Sequence, residues 1–208
     1  MTKLAKLSIL TALLGAFATT GCCSKAATAE PKLIAIPLMR QATDHTCGVA
    51  SLQAILAYYG VDCREDLLAQ KLKADQYANI DEIGNYMTGL GFTVKRHDNM
   101  SLAQLKDCID RGQPLMVCVQ AWEPEGTTLE QYQNCWDAGH WVVVIGYDAQ
   151  NIYVMDPSTA GNYAFVPTAE FMVRWHDRDD RQTLLHFGMT FESARAPVYR
   201  RDEFKKMQ

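Results

Sequence analysis

A chain of 208 residues and 23.3 kDa that is 48% hydrophobic carries enough apolar material for one domain with a sizeable core. Its formal charge of -4 and the lack of any Lys and Arg run interleaved with aromatics argue against nucleic acid as a partner. Neither a Cys-x-x-Cys nor a His-x-x-x-His spacing occurs, so zinc is not expected.

In chain order, Lys3 and Lys6 precede the apolar run Ile9 to Phe17 and the small residues Ala18 to Gly21, which reads as an export signal over residues 1–21. The run is too short to span a bilayer. Two endings compete: lipid modification of Cys22, or a cut in Ala27-Thr28-Ala29 before Glu30. Lipidation is the favoured reading and resembles a bacterial lipoprotein signal, although Thr19 stands where such signals usually have Leu. Residues 22–31 are then a small, polar tether, and the protein is exported to the periplasmic side of the cell envelope, with the membrane touched only through the lipid. The folded domain is expected over 32–192, followed by a charged tail, 193–208, that frays.

The stretch Gln41 to Gly60 contains an all-round apolar helix, Val49 to Tyr59, stopped by Gly60. Thr43, Asp44 and Thr46 are candidate caps, which puts Cys47 in or near the first turn, where unpaired N–H groups and the helix dipole favour a thiolate. Helices over Arg64 to Lys73 and Ile80 to Gly91, a strand over Phe92 to Arg96 and a helix capped by Ser101 and ended by Arg111 and Gly112 come next. Pro114 to Trp122 has the continuous apolar character of a buried strand. Glu123 to Gly139 is a long polar connection with a helical turn near Leu129 to Gln133, of the kind that builds functional walls. His140 to Tyr147 and Ile152 to Met155, joined at Asp148 to Asn151, predict a β-hairpin that brings His140 beside Asp156. Tyr163 to Val166 predicts a strand, Pro167 to Trp175 a helix and Thr183 to Phe191 one closing strand, while the charge run Asp177 to Arg181 reads as a solvated loop.

Of seven cysteines, Cys22 and Cys23 belong to the leader, leaving Cys47, Cys63, Cys108, Cys118 and Cys135. In an oxidising compartment four of these could pair while one stays free, and Cys47 has a chemical reason to be that one. Cys108 and Cys118 read equally as buried thiols, and the connectivity is open.

Gln41, Cys47, His140 and Asp156 form a set whose types fit acyl transfer. Cys47 would be the nucleophile, activated by the dipole and by His140, which returns a proton to the leaving amine. Asp156 would fix the imidazole tautomer, and the Gln41 amide with the Cys47 N–H would receive the oxyanion. Gly48, His45, Trp141, Trp122 and Trp136 are candidates for the substrate cleft, His45 on its rim rather than as a second base.

Gln41 followed six positions later by Cys47 and Gly48, the helix ending Tyr58-Tyr59-Gly60, the apolar run opened by Gly139 and His140, and Asp156-Pro157 together resemble the bacteriocin-processing cysteine peptidase family. The resemblance spans roughly Ile34 to Met189. It implies an α+β, papain-like fold with a central buried helix packed on an antiparallel sheet, a Cys47–His140–Asp156 triad, Gln41 in the oxyanion hole and no cofactor. Thr46 stands where that family commonly has Asp. Its better-known members are the front ends of membrane transporters that cut after double-glycine leaders. This chain carries neither a set of spanning helices nor a P-loop, so the double-glycine substrate is not carried over. The expectation is a monomeric, exported thiol peptidase acting on a peptide or protein. Two rivals stand beside it: an acyl or peptidyl transferase of the same fold, and a catalytically silent peptide-binding module.

Overall fold

The computed structural model describes residues 31–179 and 182–207. The export signal, Cys22 and most of the tether lie outside the described residues, so those expectations are not addressed by it.

The apolar helix at Cys47 forms as expected but starts two residues earlier, as α1, Cys47–Tyr58. Ten of its 12 residues are buried, because apolar side chains occupy every face and protein surrounds them all. Thr46 is its N-cap residue, yet no side chain caps it: the Thr46 hydroxyl is engaged with Thr43 in the preceding turn. Gly60 ends the helix with φ +80 and its N–H on the Ala57 carbonyl. Even Ser51, the polar interruption, is buried, and its hydroxyl donates to the Trp141 carbonyl at 3.0 Å. Helices α2, Glu65–Lys71, and α3, Ile80–Gly89, follow, the latter capped by the Asn79 side chain. Helix α4, Leu102–Asp110, carries the expected Ser101 cap as a full capping box with Gln104.

The sheet is antiparallel throughout, in the order β2 (Thr93–His97), β9 (Gly188–Glu192), β3 (Leu115–Gln120), β4 (Gly139–Tyr147), β5 (Asn151–Met155), β6 (Ala164–Pro167). A short β1, Lys32–Leu33, pairs with Tyr147 and Gly146 of β4. β3 and β4 are buried along almost their whole length, which is why they read as unbroken apolar runs. The β4–β5 hairpin forms as the turn residues predict, with Asp148 accepting from the Gln150 and Asn151 N–H groups, and it carries a register shift between Val144 and Gly146. Helix α1 packs on the Trp141 face of β4, and α6, Thr168–Arg174, follows β6 and buries Phe171. The turn near residue 129 becomes α5, Leu129–Asn134, with its own capping box between Thr128 and Gln131.

Two expectations are corrected. Thr183 to Phe191 is two strands, not one: β8, Thr183–Leu185, and β9 belong to different sheets. The break falls at His186, which has φ 44, stacks on Trp175 at 5.0 Å and has its ring nitrogens facing the Met100 and Met172 carbonyls. The start of the charge run is not a free loop either. His176–Arg178 is β7, paired antiparallel with β8. Beyond β9, the Val198 and Tyr199 N–H groups both point at the Tyr58 carbonyl, so this part of the charged tail is tied to the end of α1.

Candidate active site

Antiparallel pairing of β4 with β5 sets the start of one strand against the end of the other, and the side chains of His140 and Asp156 meet there. His140 Nε2 lies 2.7 Å from Asp156 Oδ1. The imidazole is almost fully buried, and its other nitrogen, Nδ1, has no protein hydrogen-bond partner. The Cys47 sulfur interacts with this same ring. With Nε2 committed to the carboxylate, Nδ1 is the nitrogen left for the thiol.

Electrostatics bind the three groups together. Burial alone would depress the His140 imidazolium, but the bonds and charges of Asp156 and Cys47 outweigh it and raise the imidazole from its ordinary 6.5 to about 9. Burial likewise pushes the Asp156 carboxyl up, and His140, the Ser158 N–H and the Thr159 hydroxyl more than reverse that, holding it well below the usual carboxylate range. Asp156 accepts from the Ser158 N–H and hydroxyl at 2.8 Å each and from the Thr159 hydroxyl at 2.7 Å, so its orientation is fixed by the turn it opens. Sequence reasoning missed Ser158 and Thr159. An Asp followed two and three residues later by hydroxyl residues is the local signal that marks such a turn.

Gln41 is stitched to the same corner: its N–H donates to the Pro157 carbonyl at 3.0 Å. Its Nε2 donates to the Thr43 carbonyl at 2.8 Å, which leaves the second Nε2 proton for another acceptor, while its Oε1 is buried without a partner. Thr43 in turn bonds Thr46, so a short hydrogen-bonded path links the oxyanion candidate to the residue before the candidate nucleophile, Cys47.

Two separate cavities flank this corner, because successive residues of β4 face opposite sides of the sheet, Trp141 lining one and His140 and Val142 the other. One, of about 340 Å3, opens on Cys47 and is lined by His45, Ala78, Trp136, Trp141 and Asp177 among others. The second, of about 250 Å3, opens on His140 and Asp156 and is lined by Trp122, Val142, Val154, Phe165 and Phe171. Trp136 and Trp141 thus fall on the Cys47 side, and His45 on that rim is exposed. Trp122 falls on the other side, where it is 60% exposed and meets the His140 ring edge-on at 4.8 Å. Its backbone is left-handed, φ 65, which for an indole-bearing residue costs about 1–2 kcal/mol and turns the ring onto the histidine.

Gly48 does not line the cleft. It is a packing position: an added Cβ would stand 2.9 Å from the Ala78 Cβ and 3.1 Å from Trp141 Cδ1, so the missing side chain lets α1 close on β4. The long connection 121–138 is pinned at His176, whose Nε2 lies 2.7 Å from the Cys135 carbonyl and whose ring lies 4.3 Å from that of Trp136. Cys47, Cys63, Cys108, Cys118 and Cys135 are all free thiols, each on a different element or connection, so the pairing that an oxidising compartment would permit is not formed. Burial pushes the Cys63, Cys108, Cys118 and Cys135 thiols up. Among the described residues no group of three or more His, Cys, Asp or Glu could hold a metal ion, and no helix is long and apolar enough to cross a membrane.

Comparison with known proteins agrees with this architecture. The structure is similar to a C39-like peptidase of Bacillus anthracis, at 18% identity and a TM-score of 0.58, covering 80% of this chain and 99% of that one. It is also similar to the peptidase domain of Streptococcus ComA, described as a bifunctional ABC transporter involved in quorum sensing, at 19% identity and a TM-score of 0.55 over 77% of this chain and 98% of that one. The double-glycine-motif protease of an AMS/PCAT transporter, solved with its leader peptide, gives 20% identity and a TM-score of 0.53 over 77% and 96%. At these identities the likeness establishes the fold, which is papain-like. No match is found among curated protein sequences. The sequence profile of the Peptidase_C39 like family matches residues 33–182, and the chain belongs to that family of cysteine peptidase-like proteins.

Proposed function

We propose that this protein is a thiol peptidase that hydrolyses peptide bonds through Cys47, His140 and Asp156. The observation that carries the reading is the buried His140 imidazole, held by the Asp156 carboxylate at 2.7 Å on Nε2, with Nδ1 unpartnered and the Cys47 sulfur acting on the ring electrostatically. The Cys47 thiolate attacks the scissile carbonyl carbon, and the oxyanion that forms is received by the Cys47 N–H and the free Nε2 proton of Gln41. The C–N bond breaks as His140 passes its proton to the amine. Water then attacks the thioester carbonyl, giving a proton to His140, and the C–S bond breaks to release the acid and restore the thiolate–imidazolium pair. Asp156 holds the ring in one tautomer throughout. The cavities on the Cys47 and His140 sides accept the chain on the two flanks of the scissile bond.

The enzyme works outside the cytoplasm, delivered by the signal of residues 1–21 and then either anchored by lipid at Cys22 or cut before Glu30. This part of the reading is supported by Lys3, Lys6 and the run Ile9 to Phe17 alone. The mass of the intact protein extracted from membranes separates the two endings.

The chemistry is tested by incubating the protein with a peptide mixture in 18O-labelled water, with and without a glycyl amine acceptor. Hydrolysis places one labelled oxygen in each new carboxyl terminus, and Cys47→Ala abolishes it. Adducts of the acceptor would replace the hydrolase by a transferase. Peptide binding with no turnover would leave only a binding module.

A further inference from the structure

The cavity on the Cys47 side has a built recognition group that the chemistry does not use. β7 turns back against the start of β4 and lays the Asp177 carboxylate over the Gly139 backbone, the residue immediately before His140. A Cβ on Gly139 would collide with that carboxylate, so any larger residue here would have to push the carboxylate from its place. Two neutral donors orient the carboxylate: the Cys118 thiol at 2.9 Å and the amide of Gln120, a fully buried side chain, at 3.1 Å. Among the described residues it forms no ion pair, although Arg178 is its neighbour in sequence. That guanidinium lines the same cavity but pairs with Asp137 at 3.0 Å. Asp177 is therefore a fixed anion in the wall of a cavity of about 340 Å3 that also holds Cys47. Trp141, Ala78 and Leu184 add apolar surface to a wall that otherwise includes Asp44, Asp137, Arg178 and Asp179, so the stem of a long side chain and its charged end both find partners there.

Resting on the peptidase reading above, we infer that Asp177 is a specificity-determining residue and that the Cys47-side cavity takes a cationic nitrogen group of the substrate next to the scissile bond. An Arg or Lys side chain and the α-ammonium of a substrate N-terminus present the same chemistry to the carboxylate. A guanidinium fits best, because the Asp177 oxygens accept a paired N–H fork and the aromatic wall accepts its plane.

The test measures binding, so that it does not depend on turnover. Fluorescent hexapeptides carrying Arg, or its neutral isostere citrulline, at each position in turn are titrated into the Cys47→Ala protein, each with a free and an acetylated N-terminus. With Asp177 intact, Arg at one position, or the free N-terminus, is expected to bind about ten- to a hundredfold more tightly than its neutral counterpart. In the Asp177→Asn background that ratio is expected to fall to near one, and in Asp177→Glu to recover in part. Which pair of peptides shows the ratio identifies the source of the cation. The first comparison is made in protein that retains Asp177, so it stands even if a substitution fails to fold. Peptides that bind equally with and without the charge, or a preference that survives Asp177→Asn, overturn this inference and leave the peptidase reading intact. If none of the peptides binds, the peptidase reading falls and this inference with it.

Discussion

The Ser51 hydroxyl and the Trp141 carbonyl, 3.0 Å apart, register the helix that carries Cys47 on the strand that carries His140. Ser51→Ala leaves the helix its apolar packing but removes this bond, and the expected cost is roughly 1–2 kcal/mol. Urea denaturation measures it. The peptidase rate should fall as well, since the relative placement of nucleophile and base rests on that register. An unchanged midpoint would show that packing alone holds it.

Alkylation by iodoacetamide should single out Cys47. The thiols of Cys63, Cys108, Cys118 and Cys135 are pushed up by burial and lack an imidazole partner. Peptide mapping after short exposure is expected to find label at Cys47 first, and His140→Ala to erase its lead. Uniform labelling would remove the thiolate–imidazolium pair from the mechanism.

The basic limb of the activity profile should follow His140, which holds its proton to about pH 9. Asp156→Asn removes one of the groups that offset its burial. The limb then moves toward neutrality and the rate at pH 7 falls by about a hundredfold or more. Stability follows the same proton. The folded-state value of about 9 lies above the ordinary 6.5, so the contribution is complete below pH 6.5 and is lost as the pH rises through about 9. For Asp156, held below its ordinary 3.8, the contribution is present above that value and is lost as the pH falls beneath it. These are two ends of one ion pair and are not summed. Denaturation midpoints between pH 6 and 10 should decline in the wild type, and the part of that decline due to His140 should vanish in His140→Ala.

Gly48→Ala adds one methyl group where 2.9 Å separates its position from the Ala78 Cβ. The expected loss is about 1–3 kcal/mol. Because the displaced element is α1, activity should fall further than stability alone explains. A kcat loss at a temperature where the variant remains fully folded checks this.

Trp122→Gly relieves a left-handed backbone and uncovers the His140–Asp156 pair. The relief of about 1 kcal/mol offsets the lost ring contact, so the melting temperature should hardly change. The His140 value should rise, because water reaching the ring relieves the burial that is the largest influence depressing it. NMR titration of the imidazole reads this directly, and an unmoved titration would reduce Trp122 to a substrate contact.

Much of the site was legible because its members lie on the strongest local patterns. The all-apolar helix beginning at Cys47, and the hairpin that brings His140 to Asp156, are each specified within about twenty residues of sequence. What could not be read depends on pairing between distant segments or on single backbone angles. Thr183 to Phe191 has one continuous pattern, and only the φ of 44 at His186, imposed by Trp175 and two distant carbonyls, splits it. Asp177 looks solvated in its charge run and becomes a cavity wall only because β7 folds back on β8. One trace of it was available: a glycine opening an apolar strand, just before the candidate base, marks a place where another group approaches the backbone.

The near-complete burial of α1 divides the labour between the two walls of the cleft. A side chain carried on a helix enclosed on every side cannot be shifted without repacking the core, so the position of the proposed nucleophile, Cys47, is not adjustable. The facing wall is built from short strands, the connection 121–138 and a few pinned turns, and its residues can be exchanged with little consequence for the core. Selectivity in this scaffold is therefore open to redesign at positions such as 136 and 177, as a set of replaceable parts mounted on a fixed candidate reactive centre.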